Sequence, residues 1–170
     1  MDEEQYQYVK NRCDEEEVNV MFQVGSRNMQ NFSLLRTLNE SDNLVLLKRG
    51  FGNTVDELVY ARNYMPKAMV YGCERGIRTF SDSSRFTLDL ATIPKIHQEA
   101  NMIPVIVDPS HAAGIKSYVE YLLKGIKKDS LINDVVYLSG SKNDETAEIA
   151  LLWSTAYDNK ILSFANTLHT

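Results

Sequence analysis

Short apolar runs alternate along the chain with longer stretches in which apolar residues recur at helical spacing. Apolar side chains on consecutive positions are typical of strands that are buried on both faces of a parallel sheet. Such runs predict strands at Val20–Val24, Leu44–Leu47, Met69–Tyr71, Ile103–Val107 and Val135–Leu138. The intervening patterns predict helices at Met29–Leu38, Val55–Tyr64, Pro94–Glu99, Gly114–Lys127 and Thr146–Tyr157. Strands and helices in this order predict an α/β protein with right-handed crossovers.

The number of predicted strands leaves two architectures open. A closed (β/α)8 barrel needs eight strands and typically about 250 residues. This chain has 170 residues and fewer predicted strands. The pattern therefore allows either an open doubly wound sheet or part of a barrel, and periodicity does not choose between them.

The composition argues against some classes of binding partner and indicates a cellular compartment. The net charge is −5 and the pI is about 5.2, which argues against a nucleic-acid partner or an anionic membrane surface, because both require concentrated positive charge. No apolar run approaches the roughly 20 residues of a membrane span. The two cysteines, Cys13 and Cys73, form no disulfide framework. A cytoplasmic protein is predicted.

Polar residues follow the predicted strands at the points where the strands end. Arg27, Lys48 and Arg75 follow the first, second and third strands, and Asp108 and His111 follow the fourth. The carboxyl ends of parallel strands converge on one mouth, where ligands bind in α/β folds. Arginine binds oxyanions bidentately and lysine acts as a point charge. The cluster therefore suits a ligand that carries both a carboxylate and a phosphate.

Each of these residues also has a plainer interpretation. A single arginine or lysine after a strand is usually a solvated loop residue. His111 alone would more often be a hydrogen-bonded structural histidine than a metal ligand, and Asp108 before Pro109 equally suits a turn. Cys73 beside Glu74 is better explained as a small buried residue than as a reactive thiolate.

Four phrases in a fixed order resemble the class I 3-deoxy-D-arabino-heptulosonate 7-phosphate (DAHP) synthases of the microbial beta type. They read QVGSRNMQN at 23–31, LLKRG at 46–50, CERGIRTF at 73–80 and PVIVDPSHA at 104–112. The stretch RFTLDL at 85–90 also looks like part of this family. A related synthase family that makes an eight-carbon sugar acid phosphate ranks second, because it normally lacks the arginine-asparagine-methionine-glutamine-asparagine phrase.

The resemblance implies a partial (β/α)8 TIM-type barrel at 20–170, with about five β/α units equivalent to strands 4–8, after an acidic N-terminal helix or frayed segment at 1–19. The family condenses phosphoenolpyruvate with erythrose 4-phosphate in the shikimate pathway of aromatic amino acid biosynthesis. Arg27, Lys48 and Arg75 match positions that hold the phosphate and carboxylate of phosphoenolpyruvate. Lys48 and Arg75 are the candidate catalytic residues, and Glu74 and Asp108 join the candidate substrate-binding set.

The family also uses a divalent metal such as Mn²⁺, and His111 matches one of its ligands. The other ligands have no counterpart here. The glycine-proline-cysteine strand end is missing, Ser139 stands where a glutamate is expected, and no aspartate occurs at 150–154. The lysine-proline-arginine-threonine-serine loop, which binds part of both substrates, is missing too.

Three hypotheses follow for the chain. It supplies the phosphoenolpyruvate half of an enzyme that a homo-oligomer or a complementing chain completes, because open barrel edges demand a partner. Alternatively, it is a degenerate module that binds phosphoenolpyruvate or another anionic metabolite without catalysis. The third hypothesis is a truncated fragment without function. In each case weak or no activity is expected of the isolated chain.

Overall fold

The parallel sheet predicted from the sequence is present. The computed structural model describes residues 2–99, 103–126, 134–137 and 149–153, the last two stretches as backbone alone. Four strands lie side by side in chain order and pair in parallel. They are β1 (Met21–Val24), β2 (Leu44–Lys48), β3 (Met69–Glu74) and β4 (Val105–Val107). The first four predicted strands and the α/β class are thereby confirmed.

Helices connect these strands. They are α1 (Glu3–Glu15), α2 (Phe32–Leu38), α3 (Val55–Arg62), α4 (Thr92–Glu99), α5 (Pro109–Ala113) and α6 (Lys116–Ile126). Local sequence explains where several of them begin. The Asn31 side chain caps α2, and Thr54 with Glu57 forms a capping box at α3, so that backbone N–H groups of the first turn find acceptors. The acidic N-terminal segment also forms a capped helix, in which Asp2 and Gln5 bond reciprocally.

The strands are buried on both faces. Val45 and Leu47 of β2 belong to the main core, together with residues of the helices such as Leu35 and Leu58. Leu46, between them, lies in a second buried cluster with Tyr71, Cys73 and Ile106. Successive side chains of a strand point to opposite faces. Burial on both sides therefore explains why the strands carry apolar residues at consecutive positions.

The C-terminal part of the described sheet departs from the prediction. Two more strands follow, β5 (Asp134–Tyr137) and β6 (Ile149–Trp153), and the sheet order is β1-β2-β3-β4-β6-β5. β6 pairs antiparallel with β4, and β5 pairs antiparallel with β6. The expected fifth parallel β/α unit is therefore wrong, although the parallel strands β1–β4 remain consistent with part of a TIM-type barrel.

The helix predicted over Thr146–Tyr157 is wrong at Ile149–Trp153, which is strand β6. The five residues are consecutive and apolar, a pattern that suits a buried strand as well as one turn of a buried helix. Pairing with the edge of β4 decides between them, since it supplies backbone hydrogen-bond partners along the segment.

In the part of the chain that the structure describes, every helix is too short or too polar to cross a lipid bilayer.

Candidate anion-binding site

The strand ends open into one cavity of about 340 Å³. Its wall brings together four of the residues predicted from the sequence, Arg27, Lys48, Arg75 and His111. They arrive from different elements because β1, β2, β3 and β4 run in the same direction and end at the same edge. The convergence expected of a parallel sheet therefore takes place.

Lys48 is the last residue of β2 and is paired inside the protein. Its Nζ lies 3.0 Å from Oδ2 of Asp108, and the side chains are only 5% and 3% exposed. Asp108 also caps α5 by accepting a bond of 3.0 Å from the backbone N–H of His111. The Asp108 carboxylate therefore holds Lys48 at the cavity wall rather than lining the wall itself.

His111, which is half-buried, completes this group. Its Nδ1 lies 2.7 Å from Oδ2 of Asp108. Burial by itself would raise the pKa of Asp108, but the hydrogen bonds from His111 and the Lys48 ammonium outweigh it and lower the pKa to about 2. The carboxylate is therefore ionised at neutral pH, and His111 donates its Nδ1 proton to it.

Glu74 lies outside the cavity wall. Arg49 donates to Oε2 of Glu74 at 3.0 Å and to Asp89 at 3.0 Å, and it also donates to the hydroxyl of Thr92. The other oxygen of Glu74 accepts from the backbone N–H of Gly76 at 2.8 Å. Burial raises the pKa of Glu74 against the opposing charge of Arg49. The contacts of Glu74 hold the loops around the site together.

Arg75 is buried at the cavity wall without a carboxylate partner among the described residues. It is 5% exposed, and its guanidinium carbon lies 4.5 Å from the centre of the Phe86 ring. Its Nε and Nη1 are buried, and neither has a hydrogen-bond partner within the described part of the chain. Burial lowers the pKa of Arg75. A buried guanidinium with unused donors is costly unless an oxyanion satisfies it.

Arg27 lies on a short 3-10 turn, Ser26–Asn28, directly after β1. Its side chain is exposed. Gly25 begins this turn, and no heavy atom lies within 4 Å of a Cβ built on it. Backbone and side chain are therefore both accessible to a ligand at this wall.

Sequence reasoning missed part of the wall. Arg85, Phe86 and Phe51 also line the cavity, and the two phenylalanine rings stack with centroids 5.7 Å apart. Arg85 and Phe86 belong to the phrase RFTLDL, to which the family resemblance assigns no role. The neighbouring charge and aromatic ring in one phrase were the available signal, but only the folded loop brings them to the strand ends.

The described residues do not fit the divalent metal of the family. Among them, no three His, Cys, Asp or Glu side chains gather at one point. Asp108 is bonded to Lys48 and His111, and the Cys73 thiol is fully buried with its pKa raised, first of all by burial. Ser139, the residue at the expected glutamate position, lies outside the described residues. A single histidine is a poor site for a divalent ion.

The lining of the cavity is cationic. Within the described residues it includes Arg27, Lys48, Arg75 and Arg85 but no Asp or Glu. Lys48 is balanced by Asp108, whereas the arginines are not balanced by a carboxylate in the wall. A surface of this charge favours an anion over a cation.

Comparisons with known proteins agree with these motifs. The chain is 42% identical over 102 residues to the phospho-2-dehydro-3-deoxyheptonate aldolase of Thermotoga maritima. The aligned residues cover 58% of this chain and 30% of that protein. The crystal structure of the T. maritima DAHP synthase superposes with a TM-score of 0.55 at 42% identity, over 60% of this chain and 31% of that one. A truncated form of the T. maritima enzyme gives a TM-score of 0.59 at 33% identity, over 74% and 55% of the two chains.

The C-terminal region has a second resemblance, which the sequence reasoning missed. Residues 114–170 match the model of the DNA gyrase B family. The DNA gyrase B protein of Streptococcus pneumoniae is 38% identical over 60 residues, which cover 35% of this chain and 9% of that protein. The antiparallel strands β5 and β6 fall in this region.

The larger match decides the family. The model of the DAHP synthetase I family covers residues 1–137, which include α1, the four parallel strands and every residue of the cationic wall. The chain spans about a third of the length of the T. maritima aldolase that it matches. On the strength of this coverage, the chain belongs to the DAHP synthetase I family.

Proposed function

We propose that this chain binds phosphoenolpyruvate in the cationic cavity and represents the phosphoenolpyruvate-binding part of a DAHP synthase. The observation that carries the proposal is Arg75, buried at the wall with two guanidinium nitrogens that lack partners among the described residues. A phosphate or carboxylate oxygen would satisfy these donors, and charge-assisted bonds of this kind contribute about 1.5–3 kcal/mol each.

The surroundings of Arg75 support a compact anion with two charged groups. Lys48 is fixed beside the cavity by Asp108, so that little side-chain freedom is lost when a ligand binds. Arg27 is exposed directly after β1, and Arg75 directly follows β3. Strand β2, which ends at Lys48, lies between these two strands. The cavity volume of about 340 Å³ is at the small end of ligand sites, which suits a metabolite of this size.

Condensation with erythrose 4-phosphate, the shikimate pathway reaction, belongs to the proposal for the complete enzyme. The isolated chain is expected to show weak or no turnover, because the described residues do not supply a metal site. The segment that resembles DNA gyrase B adds no second function to the proposal, since it covers only 9% of the S. pneumoniae protein.

The test is calorimetric titration of the purified chain with phosphoenolpyruvate, with and without Mn²⁺. Wild-type chain should bind, and Mn²⁺ should leave the affinity unchanged. Arg75→Ala should weaken binding by about tenfold or more, the equivalent of one lost charge-assisted bond. Arg36→Ala is the matched control, because Arg36 also lies over an aromatic ring, that of Tyr64, but outside the cavity wall.

Affinity that survives Arg75→Ala, in a variant with a wild-type melting profile, would refute the proposed site. Binding that requires Mn²⁺ would instead mean that metal ligands exist in the part of the chain that the structure leaves undescribed.

A further inference from the structure

The loop that carries Arg85 and Phe86 is fixed against α5. The backbone N–H groups of Arg85 and Phe86 donate to the carbonyls of Ala113 and Ala112 at 3.3 and 2.9 Å. Gly114, which ends α5 at φ 68°, allows this approach. A Cβ on Gly114 would lie 2.6 Å from the Cβ of Arg85. The backbone of Arg85 is therefore held in register with the helix that carries His111.

Arg85 and Arg75 share one aromatic ring. The guanidinium carbon of Arg85 lies 5.3 Å from the centre of Phe86, and that of Arg75 lies 4.5 Å from it. Arg75 is buried, whereas Arg85 is exposed. Burial lowers the pKa of Arg75, the charge of Asp108 raises it, and the charge of Arg85 lowers it further. Two positive charges therefore lie against one aromatic ring, that of Arg75 buried in the cavity wall and that of Arg85 at its exposed surface.

Among the described residues, no carboxylate forms an ion pair with either arginine, although the charge of Asp108 acts on Arg75 from nearby. The carboxylates nearest to the site are engaged elsewhere, Asp108 with Lys48 and Glu74 with Arg49. No ion pair of the described residues includes Arg75 or Arg85. Two guanidinium groups that lie on one ring without an ion-pair partner repel each other, and an anion between or beside them relieves that repulsion.

We propose that Arg85 is a specificity residue, which holds the second anionic group of a ligand whose first anionic group is bound by Arg75. Both guanidinium groups lie against the Phe86 ring. The cavity therefore selects small metabolites with two anionic groups over those with one. This inference rests on the proposed function and assigns a role to a residue outside the set identified from the sequence.

The experiment compares a ligand of two anionic groups with a ligand of one, by titration calorimetry on the full chain. Phosphoenolpyruvate is the first probe and inorganic phosphate is the second. Arg85→Gln should weaken phosphoenolpyruvate binding by about tenfold and change phosphate binding by less than about twofold. Arg78→Gln is the control, because Arg78 is an exposed arginine of the same loop, over the Phe51 ring, and does not line the cavity. It should change neither affinity.

Three outcomes separate this inference from the proposed function. Unchanged phosphoenolpyruvate affinity in Arg85→Gln overturns the inference, while a loss in Arg75→Ala still upholds the site. An equal loss for phosphate and phosphoenolpyruvate also overturns it, since Arg85 would then belong to a single anion site. If the wild-type chain binds 3-phosphoglycerate but not phosphoenolpyruvate, the proposed function alone is refuted, and the Arg85→Gln comparison is then made with 3-phosphoglycerate in place of phosphoenolpyruvate. If the wild-type chain binds neither compound, the proposed function and the inference about Arg85 are both overturned.

Discussion

Neighbouring cations of this chain have different surroundings although they are adjacent in sequence. Lys48 is bonded to Asp108 at the cavity, whereas Arg49, the next residue, is bonded to Glu74 and Asp89 away from it. Adjacent residues at the end of a strand point in opposite directions. One therefore becomes part of the cavity wall, and the other becomes part of the ion-pair cluster that joins the loops.

Asp108 gives a prediction at the residue scale. Its pKa is lower in the folded chain, about 2, than the ordinary value of 3.8. Its ionised form therefore stabilises the fold at every pH above about 4, and this contribution is lost as the pH falls towards 2. The shift corresponds to roughly 2 kcal/mol of unfolding free energy. Asp108→Asn should remove this part of the pH dependence, as measured by urea unfolding between pH 7 and pH 2.

At neutral pH the same variant should be less stable by about 3 kcal/mol, because the buried Lys48 loses its counter-charge. Asp82→Asn, at an exposed carboxylate of the loop after β3, serves as the control and should leave the profile unchanged. A wild-type pH dependence in Asp108→Asn would contradict the assigned ion pair.

At the scale of elements, the turn after β3 determines where Arg75 lies. Gly76 has φ 93°, and a Cβ placed on it would lie 2.7 Å from the Cβ of Phe86 and 3.0 Å from the Cβ of Ala112. Only glycine adopts this conformation without strain. The absence of a side chain at Gly76 thus lets the Phe86 loop and α5 close around the strand end.

We expect Gly76→Ala to destabilise the chain by about 1–3 kcal/mol and to weaken phosphoenolpyruvate binding, because strain and the displaced Phe86 act together. Thermal unfolding and titration calorimetry measure the two effects. Gly52→Ala is the matched control, since a Cβ there meets nothing within 4 Å. Equal behaviour of the two variants would show that the tight packing at Gly76 is unimportant.

At the scale of the whole molecule, the two edges of the described sheet differ: one edge is the parallel strand β1, and at the other edge lie the antiparallel strands β6 and β5. The far side of β4 is occupied by β6, and β5 follows it. Among the described strands, β1 pairs with β2 alone. Edge strands with unpaired backbone groups favour association with another chain.

The expectation of a homo-oligomer or a complementing chain is therefore tested directly by mass. Light scattering after size-exclusion chromatography should give a mass of at least twice 19.4 kDa for the purified chain, with dissociation on dilution. A mass of 19.4 kDa at every concentration, without a companion chain, would contradict the expectation.

The sequence by itself determined the parallel strands β1–β4, the helices α2 and α3, and the cations that meet at the strand ends. These features are local, since they depend on consecutive apolar residues, on cap residues and on the geometry common to all parallel sheets. The ordered phrases that carry Arg27, Lys48, Arg75 and His111 also identified the family, which the comparisons confirm.

Only the tertiary structure decided the rest. The partner of each buried charge, the place of Arg85 and Phe86 in the wall, and the antiparallel strand at Ile149–Trp153 depend on residues far apart in the chain. A charged side chain has the same local sequence whether it is paired or not, and a short apolar run suits helix or strand until an edge offers hydrogen bonds. Long-range contacts therefore determined which cations remained available to a ligand.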